Sequence, residues 1–131
     1  MRDSAVAESV RQVLRSAPAE VIAAYLYGSR ARGTGSPESD VDLGILLEAP
    51  PAPSLKGVAR DVEDAVERAL RLPVEVVVLN RAAPDLVHRI LRDGILLLDR
   101  DASRRIRFEV QSRNEYFDMA PVRRLYRRLP A

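Results

Sequence analysis

The chain has no cysteine. That excludes disulfides, a thiolate nucleophile and a cysteine zinc site, and it suits a reducing cytoplasm. Histidine occurs once, as His88 beside Arg89, and without a second histidine it reads as a surface helix residue rather than a base. Lysine also occurs once, at Lys56; the other basic residues are arginines, which favour bidentate contacts with phosphates and carboxylates. No run of 18 apolar residues and no charged–apolar–cleavage pattern is present, so neither a membrane span nor a secretory leader is expected. Internal repeats and low-complexity segments are also missing. The net charge is only +2, which argues against a general attraction to nucleic acid. Positive charge is instead concentrated late, with nine arginines between Arg100 and Arg128 against five acids from Asp99 to Asp118. What remains is 131 residues with 47% apolar content, enough for one compact domain with a modest core.

Periodicity divides the chain into alternating helices and strands. Asp3 to Ala17 carries Val6, Val10, Val13, Leu14 and Ala17 on one helical stripe, stopped by Pro18. The apolar run from Val21 to Tyr27 predicts a buried strand, and Gly28 to Arg32 the start of a helical turn. Ser-Pro-Glu-Ser at 36–39 supports a turn leading into a second strand from Asp40. After the break at Pro50, Pro51 and Pro53, Ser54 caps a helix with Leu55, Val58, Val62, Ala65, Val66, Ala69 and Leu70 as its apolar face. Its acids Asp61, Glu63, Asp64 and Glu67 read as a solvated face. Val74–Leu79 predicts a third strand, Pro84 to Gly94 a third long helix, Ile95–Leu98 a fourth strand, and Ser103 to about Ala120 the last helix. Strands alternating with helices give an α/β domain of roughly four strands with helices on the sheet.

The organising stretch is Tyr27 to Leu47. Side chains alternate along a strand, so Asp40 and Asp42 project to one side while Val41, Leu43 and Ile45 point to the other. Two carboxylates roughly 6.7 Å apart repel unless a cation lies between them. Magnesium suits such a pair, since it takes one or two carboxylates together with phosphate oxygens. Upstream, Gly28-Ser29 at the start of a helical turn offers free backbone N–H groups, close approach and a hydroxyl to an anion. Arg30 and Arg32 could reach the same anion or simply face water. Glu75 stands alone in a run of valines, where a buried carboxylate is costly unless it is paired or binds a metal.

Gly28-Ser29, ten intervening residues and then Asp40-x-Asp42 resembles the signature of the polymerase-beta-type nucleotidyltransferases. The form GSRARG…SPESDVDL in so short a chain is similar to the minimal nucleotidyltransferase (MNT) proteins that act as antitoxins to HEPN-domain ribonuclease toxins. The resemblance implies a mixed, α+β sheet and a single domain over residues 1–131, with a C-terminal helical tail from about 101. It implies Gly28, Ser29, Arg30 and Arg32 as nucleotide-binding, and Asp40, Asp42 and Glu75 as catalytic ligands of a two-metal Mg2+ site, although aspartate is commoner at the position of Glu75. The implied reaction transfers AMP from ATP to a tyrosine of a cognate HEPN toxin in the cytoplasm, without sequence-specific nucleic-acid binding. A non-catalytic antitoxin that blocks the toxin by binding, or an enzyme acting on a small molecule or RNA, are the alternatives.

The last helix divides its apolar residues between two faces at about 100° per residue. Ile106, Val110, Phe117 and Ala120 share one, expected to face inward, and Phe108 and Met119 lie opposite. Either the Leu125-Tyr126 segment folds back over Phe108, or Phe108 and Met119 mark a partner surface among Arg104, Arg105, Arg107 and Arg113.

Overall fold

The computed structural model describes residues 3–49 and 56–118. The elements are α1 (Asp3–Leu14), β1 (Val21–Tyr27), α2 (Ser29–Arg32), β2 (Val41–Leu47), α3 (Lys56–Leu70), β3 (Val74–Val78), α4 (Pro84–Asp93), β4 (Ile95–Asp99) and α5 (Ala102–Asp118), with a 3-10 turn at Leu79–Arg81 after β3. α1 ends before Ala17 because its last turn tightens: Ser16 N–H bonds to Val13 and Ala17 N–H to Leu14. None of the helices among the described residues is long and apolar enough to cross a membrane.

The sheet runs in the order β3-β2-β1-β4. β1 pairs antiparallel with both β2 and β4, whereas β2 and β3 are parallel and joined by the α3 crossover. The expected mixed sheet of four strands flanked by helices is therefore what forms. Alternation along β2 sends Val41, Leu43, Ile45 and Leu47 into one core, with Val6, Val10 and Leu14 of α1 and Val58, Val62 and Val66 of α3. Leu46 enters a second core on the opposite face, with Leu79, Val87 and Ile90. β1 changes parity at an irregularity between Val21 and Ala23. Val21 and Ala24 thus join the first core, while Ile22, Ala23 and Tyr25 join the second.

Gly44 lets the second layer approach closely. A Cβ there would lie 3.0 Å from Leu79 Cδ2 and 3.5 Å from Ile90 Cγ2, so a side chain at 44 would crowd Leu79 of the 3-10 turn and sit in contact with Ile90 of α4. Asn80 fixes the same turn: its Oδ1 accepts from Leu47 N–H at 2.9 Å and its Nδ2 donates to Leu47 O at 3.0 Å. Arg100, just beyond β4, donates to the carbonyls of Pro18, Ala17 and Val21 at 2.7, 2.9 and 3.0 Å, closing the end of α1.

α5 sits on the second core in the reverse of the expected orientation. Phe108 packs against that core, while Ile106, Val110 and Phe117 are exposed. The periodicity misleads because the inward face of α5 is largely polar, held by ion pairs and a hydrogen bond to the sheet. Tyr25 Oη donates to Glu109 Oε1 at 2.6 Å, and Arg105 makes ion pairs at 3.0 Å with both Asp99 and Glu109. Met119 and the Leu125-Tyr126 segment lie outside the described residues.

Candidate active site

The site forms at one end of the sheet, where β1 leaves and β2 and β3 enter. Asp42 is in register with Tyr27 of β1 and with Glu75 of β3. Residues opposite one another share a face, with neighbouring strands about 4.8 Å apart. Asp40 precedes the strand by one residue and is exposed, as is Glu75, whereas Asp42 is half-buried. The structure thus brings Asp40, Asp42 and Glu75 to one patch, and Glu75 escapes the cost of burial because β3 is an edge strand. Burial raises the pKa of Asp42, and the Glu75 and Asp40 carboxylates add to the rise, with Arg32 opposing it.

Gly28 closes the patch. Its φ of +74° favours glycine, and a Cβ there would collide with Asp42 Oδ2. The bare backbone before α2 therefore lies directly on the carboxylate. Ala31 and Arg32 N–H bond to Gly28 O at 3.1 and 3.2 Å, which leaves the amides of Ser29 and Arg30 ahead of the first intrahelical bonds. Ser29 and Arg32 belong to this same short turn, and Arg32 is exposed.

Arg30 departs from the expected nucleotide contact. It is only 1% exposed, and its guanidinium donates to Pro37 O at 3.0 Å and to Ser39 O at 3.0 and 3.2 Å, with an ion pair to Asp3 at 3.3 Å. Those bonds tie its guanidinium to the 33–39 connection that ends at Asp40.

Two residues join the site that the sequence did not single out. Tyr27 is half-buried, and burial followed by the Asp42 and Glu75 charges raises the pKa of its hydroxyl, with Arg89 acting against them. Arg89 belongs to the turn of α4 whose Ile90 rests by Gly44, two residues along β2 from Asp42. Strand alternation next to Gly28 could have flagged Tyr27; Arg89 depends on tertiary packing and leaves no local signal.

Among the described residues no group of three or more His, Asp or Glu side chains is placed to hold a metal ion by itself. The donor set nonetheless fits magnesium. It supplies hard carboxylate oxygens from Asp40 and Asp42 at the start of β2 with a third acid alongside, and position 28 carries no side chain to cover Asp42.

The polymerase beta nucleotidyltransferase family model matches residues 8–103, a span that holds every one of these site residues. The chain belongs to this family. Among solved structures, it resembles a toxin–antitoxin crystallised with AMP-PNP (TM-score 0.75, 21% identity, 92% of this chain and 94% of that one). It is also similar to the complex of a tri-AMPylated Shewanella oneidensis HEPN toxin with its MNT antitoxin (TM-score 0.71, 18% identity, 95% and 94% covered). A third similar structure is the MntA–HepT toxin–antitoxin (TM-score 0.70, 18% identity, 94% of each chain). At these identities the likeness establishes the shared fold. No curated protein matches the sequence.

Proposed function

We propose that this nucleotidyltransferase is the antitoxin of a HEPN pair, a single-domain cytoplasmic enzyme that transfers AMP from ATP to a tyrosine of the toxin and so silences it. The observation that carries the reading is Asp42 set in register beside Glu75 and directly under Gly28. An acid patch against bare backbone at a helix start suits a nucleotide triphosphate and the hard cation that accompanies it. The tri-AMPylated toxin bound to a similarly folded antitoxin supports the choice of acceptor.

In this reading the amides of Ser29 and Arg30, the Ser29 hydroxyl and the exposed Arg32 hold the triphosphate. Asp40 and Asp42, with Glu75 beside them, would hold Mg2+. When bound, magnesium supplies charge neutralisation at the phosphate oxygens and polarises the α-phosphate. Glu75, exposed at the rim, accepts the proton of the tyrosine hydroxyl. The phenolic oxygen forms its bond to the α-phosphorus as the bond to the bridging oxygen of the β-phosphate breaks, and pyrophosphate leaves. Arg30 contributes indirectly by fixing the connection that ends at Asp40. All three acid positions being filled favours an enzyme over a purely blocking antitoxin.

Calorimetric titration of ATP with and without magnesium tests the nucleotide half of this reading. Wild-type affinity should rise at least tenfold with the metal, and Asp42→Asn should remove that dependence. An affinity indifferent to magnesium, or to the substitution, would contradict the assignment.

A further inference from the structure

We infer that the outward face of α5 is the docking surface for the protein that accepts the nucleotide, and that this partner meets it with apolar side chains around a carboxylate. The inference rests on the function proposed above. Ile106, Val110 and Phe117 are 50%, 49% and 58% exposed, the largest apolar exposures on the helix. At about 100° per residue they fall within about 40° of one another, in one row with Arg113. A solvent-facing row of this kind normally marks an interaction surface.

The row leads to the catalytic end of the sheet. β4 starts with Ile95 opposite Leu26, next to Tyr27, and runs away from the site towards Asp99 opposite Ala23. α5 then returns, so its C-terminal end approaches the site. The aromatic contacts agree: Tyr116 stacks on His88 of α4 with centroids 3.6 Å apart and planes 5° apart. Phe117 meets both rings edge-on, at 6.4 and 5.6 Å. His88 adjoins Arg89, whose charge is felt at Tyr27 beside Asp42. From Ile106 to Phe117 the row spans about 16 Å, so a partner seated on it would also overhang the site.

Charge selects among the occupants. Arg107 and Arg113 are exposed, and neither forms an ion pair among the described residues. A second copy of the chain would bring the same excess of exposed arginine to the contact, with no carboxylate in the row to meet it. The segment 119–131 carries Arg123, Arg124, Arg127 and Arg128 and no acidic side chain, so it offers Arg113 no Asp or Glu to pair with. Covering Arg113 without a carboxylate would leave a desolvated, unpaired charge. A partner with apolar groups and an acid satisfies both halves of the surface, and aromatic and arginine side chains are the usual anchors of such interfaces.

The test uses the full chain and the cognate HEPN toxin with its ribonuclease centre inactivated. Phe117→Ser and Arg113→Glu should each weaken toxin binding tenfold or more, with the melting temperature and magnesium-dependent ATP affinity unchanged. A photo-crosslinking residue in place of Val110 should capture the toxin. Capture of a second copy or of the chain's own 119–131 segment, wild-type toxin affinity in both variants, or no toxin binding by the wild type would overturn the inference. Transfer that persists at wild-type toxin affinity in both variants defeats the docking face alone. Toxin binding that depends on Phe117 and Arg113 without any AMP transfer defeats the catalytic reading alone.

Discussion

Asp42 lies between Tyr27 and Glu75 with Asp40 two residues back, and burial together with the two neighbouring carboxylates raises its pKa. The sign of the resulting stability effect follows by linkage. An acid whose folded pKa exceeds its unfolded value resists ionisation in the native state, so it destabilises the fold increasingly as pH rises from the ordinary aspartate value of about 3.9 through the raised one. Asp42→Asn should therefore raise the melting temperature of the nucleotide-free protein at pH 7, by about 1–3 °C, and the gain should fade below about pH 4. Thermal melts across that range check this; a substitution that lowers the melting temperature at pH 7 would contradict it. Nearby, Arg30 shows how little residue type says about role. Beside Gly28-Ser29 it has the chemistry of a phosphate ligand, yet it turns inward because the carbonyls of Pro37 and Ser39 need donors that the loop itself does not supply.

At the scale of elements, the strand–turn–strand core was legible and α5 was not. β2 alternates cleanly and an apolar face must be buried, so the direction of Asp40 and Asp42 followed from the valine, leucine and isoleucine between and beyond them. The pairing of Asp42 with Glu75 was not legible from alternation, because register across a parallel crossover depends on how α3 packs. α5 failed for a different reason. Its apolar row faces water, and its inward side is built from Phe108, the buried Ser112 and the Arg105–Glu109 pair, whose contacts to Asp99 and Tyr25 spacing cannot reveal. Phe108 accordingly belongs to the core and not to the partner surface expected of it. Phe108→Ala should cost about 1–3 kcal/mol of stability by chemical denaturation while changing toxin affinity less than about threefold. A normal unfolding midpoint with weakened toxin binding would reverse that assignment.

At the scale of the whole molecule, two helical layers on opposite faces leave one end of the sheet open, and the three acids collect at that end. The first layer, α1 and α3, packs under the strands, and α1 reaches the site end only through the Asp3 ion pair to Arg30. The second, α4 and α5, brings Arg89, His88, Tyr116 and Phe117 toward the rim. In the proposed reading one molecule presents a nucleotide site and, along α5, an arginine-studded apolar row. The transfer reaction requires both a bound nucleotide and an acceptor to meet at that end. The most direct measurement is intact-mass spectrometry of the HEPN toxin after incubation with ATP, magnesium and this chain. Wild type should add one or more adenylyl groups at a tyrosine. Glu75→Gln, folded and still binding ATP, should slow the addition at least a hundredfold, within the range expected for loss of a general base. No added mass with wild type, or equal rates with the two proteins, would contradict the account.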